Sequence, residues 1–277
     1  RINNILIDIM MNFTKMNGAG NDFVITDNRI TKTNFTPKTI AKLCDRNRGI
    51  GADGFMSVES PENDGDYRMR YYNADGNEAE MCGNGARCFA RFVFNNVNRD
   101  NVSMKIETIA GIIAAEIKED LVEIQLSEPF DLRLNETIAL NNSNENVHSI
   151  NTGVPHAVVF SERVHEINLK EIGFHIRNHP LFEPHGTNVN YVQIDDDNLL
   201  TIRTYERGVE DETLACGTGM VASALIHHQL NEIEPPVKVN VQGGDKLMVS
   251  WKYDDGQYSN VTLTGPALSV FKGEINV

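Results

Sequence analysis

"EMCGNGARC", from Glu80 to Cys88, and "LACGTGMVA", from Leu214 to Ala222, decide how this chain reads. Each carries a cysteine, then Gly, one polar residue and Gly, and then an apolar run of helical character. The chain has only four cysteines. Two of them stand in this repeated turn, half a chain apart.

The repeat extends upstream. "YNADGNEAEMCGNG" begins at Tyr72 and "YERGVEDETLACGTG" at Tyr205. "GARCFARFVFNN" and "GTGMVASALIHHQL" follow as helices whose apolar residues cover most of the circumference, the pattern of a buried helix. Around them lie short β-branched and aromatic runs that read as strands. In the first half these are "FVITDN", "GFMSVES", "YRMRYYNADG", "MKIETIAG", "IIAAEIK" and "LVEIQLS". In the second they are "HAVVF", "TNVNYVQID", "LLTIRTYERG", "VKVNVQGG", "DKLMVSWK" and "NVTLTGPALSVFKG". "PKTIAKLCDRN" reads as a helix capped by Thr36, and "NLKEIGFHIRNHP" as one ended by Pro180. The expected fold class is therefore α+β, with two similar halves that each hold several strands and a near-central helix. The expected boundaries are an extension over 1–10, halves over 11–128 and 129–264, and a terminal strand over 265–277 that returns to the first half.

Composition excludes some classes of partner. The chain has 277 residues, 40% hydrophobic and 23% charged, with a net charge of −14. Such acidity disfavours nucleic-acid backbones and anionic membranes. No apolar run approaches a membrane span. Asp8 interrupts the opening "RINNILIDIMMNF", which makes it a poor signal peptide. A cytoplasmic location is expected, where cysteines are more often catalytic or buried than disulfide-linked.

A helix N-terminus offers unpaired N–H groups and a partial positive charge. A thiol placed there ionises more readily, and the same amides can hold a carboxylate. Glycines beside it let backbone come close to a ligand. Two such units would supply a sulfur for each face of the carbon next to a bound carboxylate. That suits racemisation or epimerisation of an amino acid, with fixed dipoles stabilising the charge on a very weak carbon acid. No lysine in a cofactor-type motif and no metal-ligand spacing stands out, so neither cofactor nor metal is expected.

From about Met11 onward the chain resembles the diaminopimelate epimerase family. "KMNGAGNDFVITD", "NADGNEAEMCGNGARC", "GVPHAVVF", "GTNVNYV" and "TYERGVEDETLACGTG" occur in the family's order. The resemblance implies two similar domains, each a curved, mostly antiparallel sheet wrapped around a central helix, with the active site in the cleft between them. It implies cofactor-free, two-base interconversion of LL- and meso-diaminopimelate, which serves lysine and peptidoglycan synthesis. On this resemblance Cys82 and Cys216 are the base and acid. Gly83, Asn84, Gly217 and Thr218 cradle the reacting carboxylate. Asn21, Asn73, Asn190, Glu206 and Arg207 recognise substrate, and His156 and Glu206 tune the thiols as charged neighbours. A homodimer is compatible with the resemblance.

Two positions depart from the family pattern, Val154 in "GVPH" and Gly54 in "GADG". They bear on substrate preference. A proline- or hydroxyproline-type racemase of the same fold is the alternative. A thiol–disulfide protein and a non-catalytic amino-acid-binding module are further alternatives. Replacing Cys82 or Cys216 would spare the binding module.

Other motifs read as structural. Cys44 and Cys88 suit the core. "GIGADG" matches a dinucleotide fingerprint in letters, but no helix follows, so it is expected to be a turn on the substrate side. His175 and His179 share a helical face without a third ligand. His227–His228 suits favourable charge near a helix end, and Asp195–Asp197 a solvated turn.

Overall fold

The structure is a computed structural model that describes residues 10–140, 144–196 and 198–277. Residues 1–9 of the expected extension and Asp197 of the acidic run lie outside the described residues. Met10 opens the first strand.

The chain divides into two compact units. Residues 10–122 with Ala267–Val277 form unit 1, and Glu123–Pro266 form unit 2. The expected boundary at 128/129 lies beyond the observed division. The reason is local. Leu126 N–H donates to Val261 O at 2.9 Å, and Glu123 Oε2 accepts from Thr264 Oγ1 at 3.0 Å. These bonds tie the segment after Val122 to the end of unit 2.

In unit 1, β1 (Met10–Gly18) pairs antiparallel with β2 (Asn21–Asp27). Helix α1 (Pro37–Cys44) leads to β3 (Gly54–Glu59), parallel to β2. Thr36 caps α1 by accepting from Thr39 N–H, with Pro37 at the first turn. Strand β4 (Tyr67–Asn73) runs antiparallel to β3, and the short β5 (Glu78–Ala79) folds back on β4. Helix α2 (Gly83–Asn96) then leads to β6 (Ser103–Thr108), parallel to β4, and β7 (Gly111–Lys118) pairs antiparallel with β6.

Unit 2 repeats that order. It opens with β8 (Leu121–Gln125), β9 (Phe130–Ala139) and β10 (Asn144–Asn151), and β9 and β10 are antiparallel. Next come β11 (Pro155–Phe160), α3 (Leu169–Arg177) and the parallel β12 (Asn188–Asp196). The antiparallel β13 (Leu199–Glu206) and the short β14 (Asp211–Thr213) follow. Helix α4 (Gly217–Asn231) leads to β15 (Val237–Asn240), parallel to β13. Strands β16 (Lys246–Asp254) and β17 (Gln257–Pro266) close the unit. Strand β18 (Leu268–Asn276) pairs with β1 of unit 1, as β9 pairs with β10 in unit 2.

Each unit is thus a mostly antiparallel sheet around one buried helix. Helix α2 packs against β1, β2, β3, β4, β7 and β18, and α4 against β10, β11, β12, β13, β15, β16 and β17. Every residue from Gly219 to His227 is buried, as the all-round apolar sequence requires. Each fully buried Leu, Ile or Val there contributes about 1.5–3 kcal/mol. Among the described residues no helix is long and apolar enough to cross a membrane.

Some readings change. The sequence-based strand list omits β9 and β10, and "NVTLTGPALSVFKG" is two strands broken at Ala267. His228, in the last turn of α4, is held by aromatic side chains rather than by solvent. His228 Nδ1 lies 2.6 Å from the Tyr258 hydroxyl, its ring packs edge-on to Trp251, and burial lowers its pKa. The acidic run is not wholly a turn either, since β12 extends through Asp196.

Candidate active site

Cys82 and Cys216 are the N-cap residues of α2 and α4, both with extended backbone, at φ −138°, ψ 120° and φ −122°, ψ 108°. Strand register makes the two positions equivalent. Tyr72 on β4 faces Glu78 on β5, and Tyr205 on β13 faces Glu212 on β14. None of the four cysteines forms a disulfide. Cys44 and Cys88 are core residues whose thiols burial pushes up to about 11 and about 12.

In unit 1, the Cys82 sulfur accepts from Gly85 N–H at 3.4 Å. Asn84 is buried beside it. Its Nδ2 donates to Asn21 Oδ1 at 2.8 Å, and its Oδ1 accepts from Arg87 Nη2 at 2.9 Å. Asn21 Nδ2 donates in turn to Asp53 at 3.1 Å, and Asp53 accepts from Arg46 at 2.7 Å. A polar chain therefore runs from the first turn of α2 to the "GIGADG" segment, where Gly54 starts β3 and no helix follows. Asn73 ends β4, exposed, and accepts from Tyr71 Oη at 3.0 Å.

In unit 2, the Cys216 sulfur lies 3.6 Å from Thr218 Oγ1. His156 is buried on β11 with Nε2 2.9 Å from that hydroxyl. Its Nδ1 faces the Asn190 Nδ2 amide at 3.1 Å. Asn190 can only donate there, so Nδ1 accepts and Nε2 carries the proton toward Thr218. The Thr218 hydroxyl can then donate to the sulfur. Asn190 is itself locked, donating to Ala157 O at 2.9 Å and accepting from Thr204 Oγ1 at 2.9 Å. Burial, helped by Arg207, pushes the His156 pKa down to about 3. His156 is thus neutral near pH 7 and reaches Cys216 through a hydroxyl, which corrects the expectation of a charged neighbour. Burial also raises the pKa of Glu206.

The second glycines of the two turns, Gly85 and Gly219, are packed differently. A Cβ on Gly219 would lie 2.4 Å from Asn190 Oδ1, and one on Gly85 would lie 3.4 Å from Met56 Sδ. Only Gly219 makes room for protein atoms that a Cβ would strike.

Arg207 N–H donates to Asn188 Oδ1 at 2.8 Å, and its side chain lines a cavity of about 280 Å³ within unit 2. His156, Arg133, His185 and Pro155 line it as well. Arg87, Thr204 and Asp53 escaped the sequence reading. Arg87 had a signal, since arginine inside an all-round apolar helix needs a partner.

The profile of the diaminopimelate epimerase family matches residues 13–129 and 148–270. The diaminopimelate epimerase of Methanocella arvoryzae is 41% identical over 278 residues, covering 96% of this chain and 96% of the relative. That of Aquifex aeolicus is 38% identical, covering 96% and 98%. The crystal structure of a hydroxyproline epimerase from Agrobacterium vitis shares the fold, with TM-score 0.68 and 15% identity over 97% of this chain and 93% of that one.

Proposed function

Because this chain belongs to the diaminopimelate epimerase family, an isomerase family, we propose that it interconverts LL- and meso-diaminopimelate with Cys82 and Cys216 as its two bases. The observation that carries this reading is the equivalence of the two cysteines, each the cap of the buried helix of its unit.

The thiolate of one cysteine takes the α-proton from one face of the substrate carbon and becomes a thiol. The C–H electron pair stays on the substrate, delocalised into its carboxylate. The other thiol gives its proton to the opposite face and becomes the thiolate. No net charge or electron is exchanged with solvent. A proton returns from the first thiol to the second thiolate before the next turnover in the same direction, and the two cysteines exchange roles when the reaction runs in the opposite direction. The N–H groups of Gly83, Asn84, Gly217 and Thr218 stabilise the developing negative charge on the carboxylate.

Asn21, Asn73, Glu206 and Arg207 recognise the substrate, the Arg suiting its distal carboxylate and the Glu its distal ammonium. Asn190, fully buried and bonded to His156, Ala157 and Thr204, acts through His156. His156 sets the Thr218 hydroxyl on Cys216. The substrate serves lysine synthesis, and the reaction takes place in the cytoplasm.

The test is incubation of reduced enzyme with LL-diaminopimelate in D2O. Deuterium at the α-carbon with formation of the meso form is expected, and Cys82→Ala and Cys216→Ala each abolish meso formation. Turnover of proline or hydroxyproline without turnover of diaminopimelate overturns the substrate assignment.

A further inference from the structure

We propose that Arg87 makes Cys82 the thiolate of the resting protein and leaves Cys216 as the thiol, so that the two bases are unequal before substrate arrives. This rests on the two-cysteine reading above and names which member of the pair starts ionised.

Arg87 has no solvent exposure. Its long side chain folds back along α2 toward the N-terminus, the direction helical side chains take. Nη2 donates to Asn84 Oδ1 at 2.9 Å, and Nη1 approaches Gly83 O at 3.5 Å. The guanidinium therefore lies against the turn that Cys82 caps, and that sulfur already accepts from Gly85 N–H. Arginine keeps its charge in any protein setting. A buried cation next to an ionisable thiol favours the thiolate, and more strongly than it would in water.

The charged groups on the strands packed against α2 are engaged elsewhere. Lys15 pairs with Asp22, Asp27 with Arg29, Arg68 with Glu62, and Arg70 with Glu78 and Glu59. Glu116 pairs with Lys118, Lys272 bonds Asn96, and Glu274 is exposed. On α2 itself, Arg91 donates to Glu119 O and Leu121 O. The neighbouring thiol of Cys88 and hydroxyl of Tyr72 are neutral, each pushed up to about 12.

Unit 2 lacks this cation. Counting from the two caps, Val221 stands where Arg87 stands, and it is fully buried. Cys216 instead meets a neutral hydroxyl backed by a neutral imidazole. Glu206 and Arg207, opposite in sign, adjoin at the end of β13, and Arg203 is held by Glu212. The repeat has thus kept the extended backbone of the two caps and changed the charge behind one of them.

The test is the pH dependence of iodoacetamide alkylation in the full chain, reduced and without substrate, read for each cysteine by peptide mass spectrometry. The midpoint of each curve is compared, so a difference in exposure does not enter. The Cys82 midpoint is expected at least one pH unit below that of Cys216. Arg87→Met should move the Cys82 midpoint up by a similar amount and leave Cys216 in place, and Arg87→Lys should restore most of the difference. Coincident midpoints in the wild type, a lower midpoint for Cys216, or an unmoved Cys82 curve in folded Arg87→Met each overturn the proposal. Should Arg87→Met fail to fold, the wild-type order decides. Deuterium exchange by the wild type is independent of that order, so failure here is distinct from failure of the epimerase reading.

Discussion

The Nε2 of His156 donates across 2.9 Å to the hydroxyl of Thr218, and this bond aims that hydroxyl at the Cys216 sulfur 3.6 Å away. The aim is fixed from behind, because Asn190 can only donate to the other imidazole nitrogen. A side chain with no charge thereby sets how a thiolate at Cys216 is solvated.

Thr218→Val keeps the shape and removes the hydroxyl. A hydrogen bond to a charged group is worth about 1.5–3 kcal/mol, so kcat should fall at least about tenfold with little change in KM. Thr218→Ser should recover most of the rate. Steady-state kinetics of the three proteins check this, and an unchanged kcat in the valine variant would remove Thr218 from the thiol's environment.

His156 also predicts a pH dependence of stability. Its native pKa is depressed to about 3 from an ordinary 6.5. Between those values the unfolded chain binds a proton that the native state refuses. Stability from this group is full above about 6.5 and is lost as pH falls toward 3, with a slope up to about 1.4 kcal/mol per pH unit. Urea unfolding of wild type and His156→Gln should show a steeper loss in wild type just below pH 6.5, where most carboxylates are still ionised. Parallel curves would mean that His156 protonates in the fold.

The two inner glycines should respond differently to alanine. At Gly219 the new methyl would sit 2.4 Å from Asn190 Oδ1, inside a buried network that has nowhere to move. Overpacking of this kind costs about 1–3 kcal/mol, and activity should fall with it. At Gly85 the nearest atoms are Cys82 Cβ at 3.3 Å and the flexible Met56 side chain, and alanine recovers about 1 kcal/mol of helix propensity. Gly85→Ala should therefore be nearly neutral in urea midpoint, and equal losses at both sites would contradict the contact geometry.

Much of this was legible in the letters. Cysteine before Gly-x-Gly placed both helix caps, and the all-round apolar runs after them placed α2 and α4 in the core. Strands β9 and β10 were not picked out, because β9 is exposed along nearly its whole length and the short alternation of Phe130, Leu132 and Leu134 gives way to the polar run Asn135, Glu136 and Thr137. The break between β17 and β18 was hidden because both sides of Ala267 have strand composition. The chemistry behind each cap was also hidden. In strand register Phe23 and Met56 occupy in unit 1 the places of His156 and Asn190 in unit 2, and these distant residues meet only in the fold.

The repeat also left a matched pair of braces. Arg203 forks onto Glu212 with bonds of 2.7 and 2.7 Å, and Arg70 onto Glu78 with bonds of 2.8 and 2.9 Å. Each joins the strand before a cysteine turn to the short strand leading into it. They differ in depth. The Arg203 side chain is 13% exposed against 33% for Arg70, and Arg203 alone also donates to Val164 O and Ile167 O. Removing the acid from the deeper brace leaves a more buried cation without its counter-charge, whereas solvent covers the loss at the shallower one. Glu212→Gln should thus cost about 1–3 kcal/mol and Glu78→Gln below about 1 kcal/mol. Urea unfolding of the two variants measures this, and a larger loss at Glu78 would show that depth does not rank the two braces.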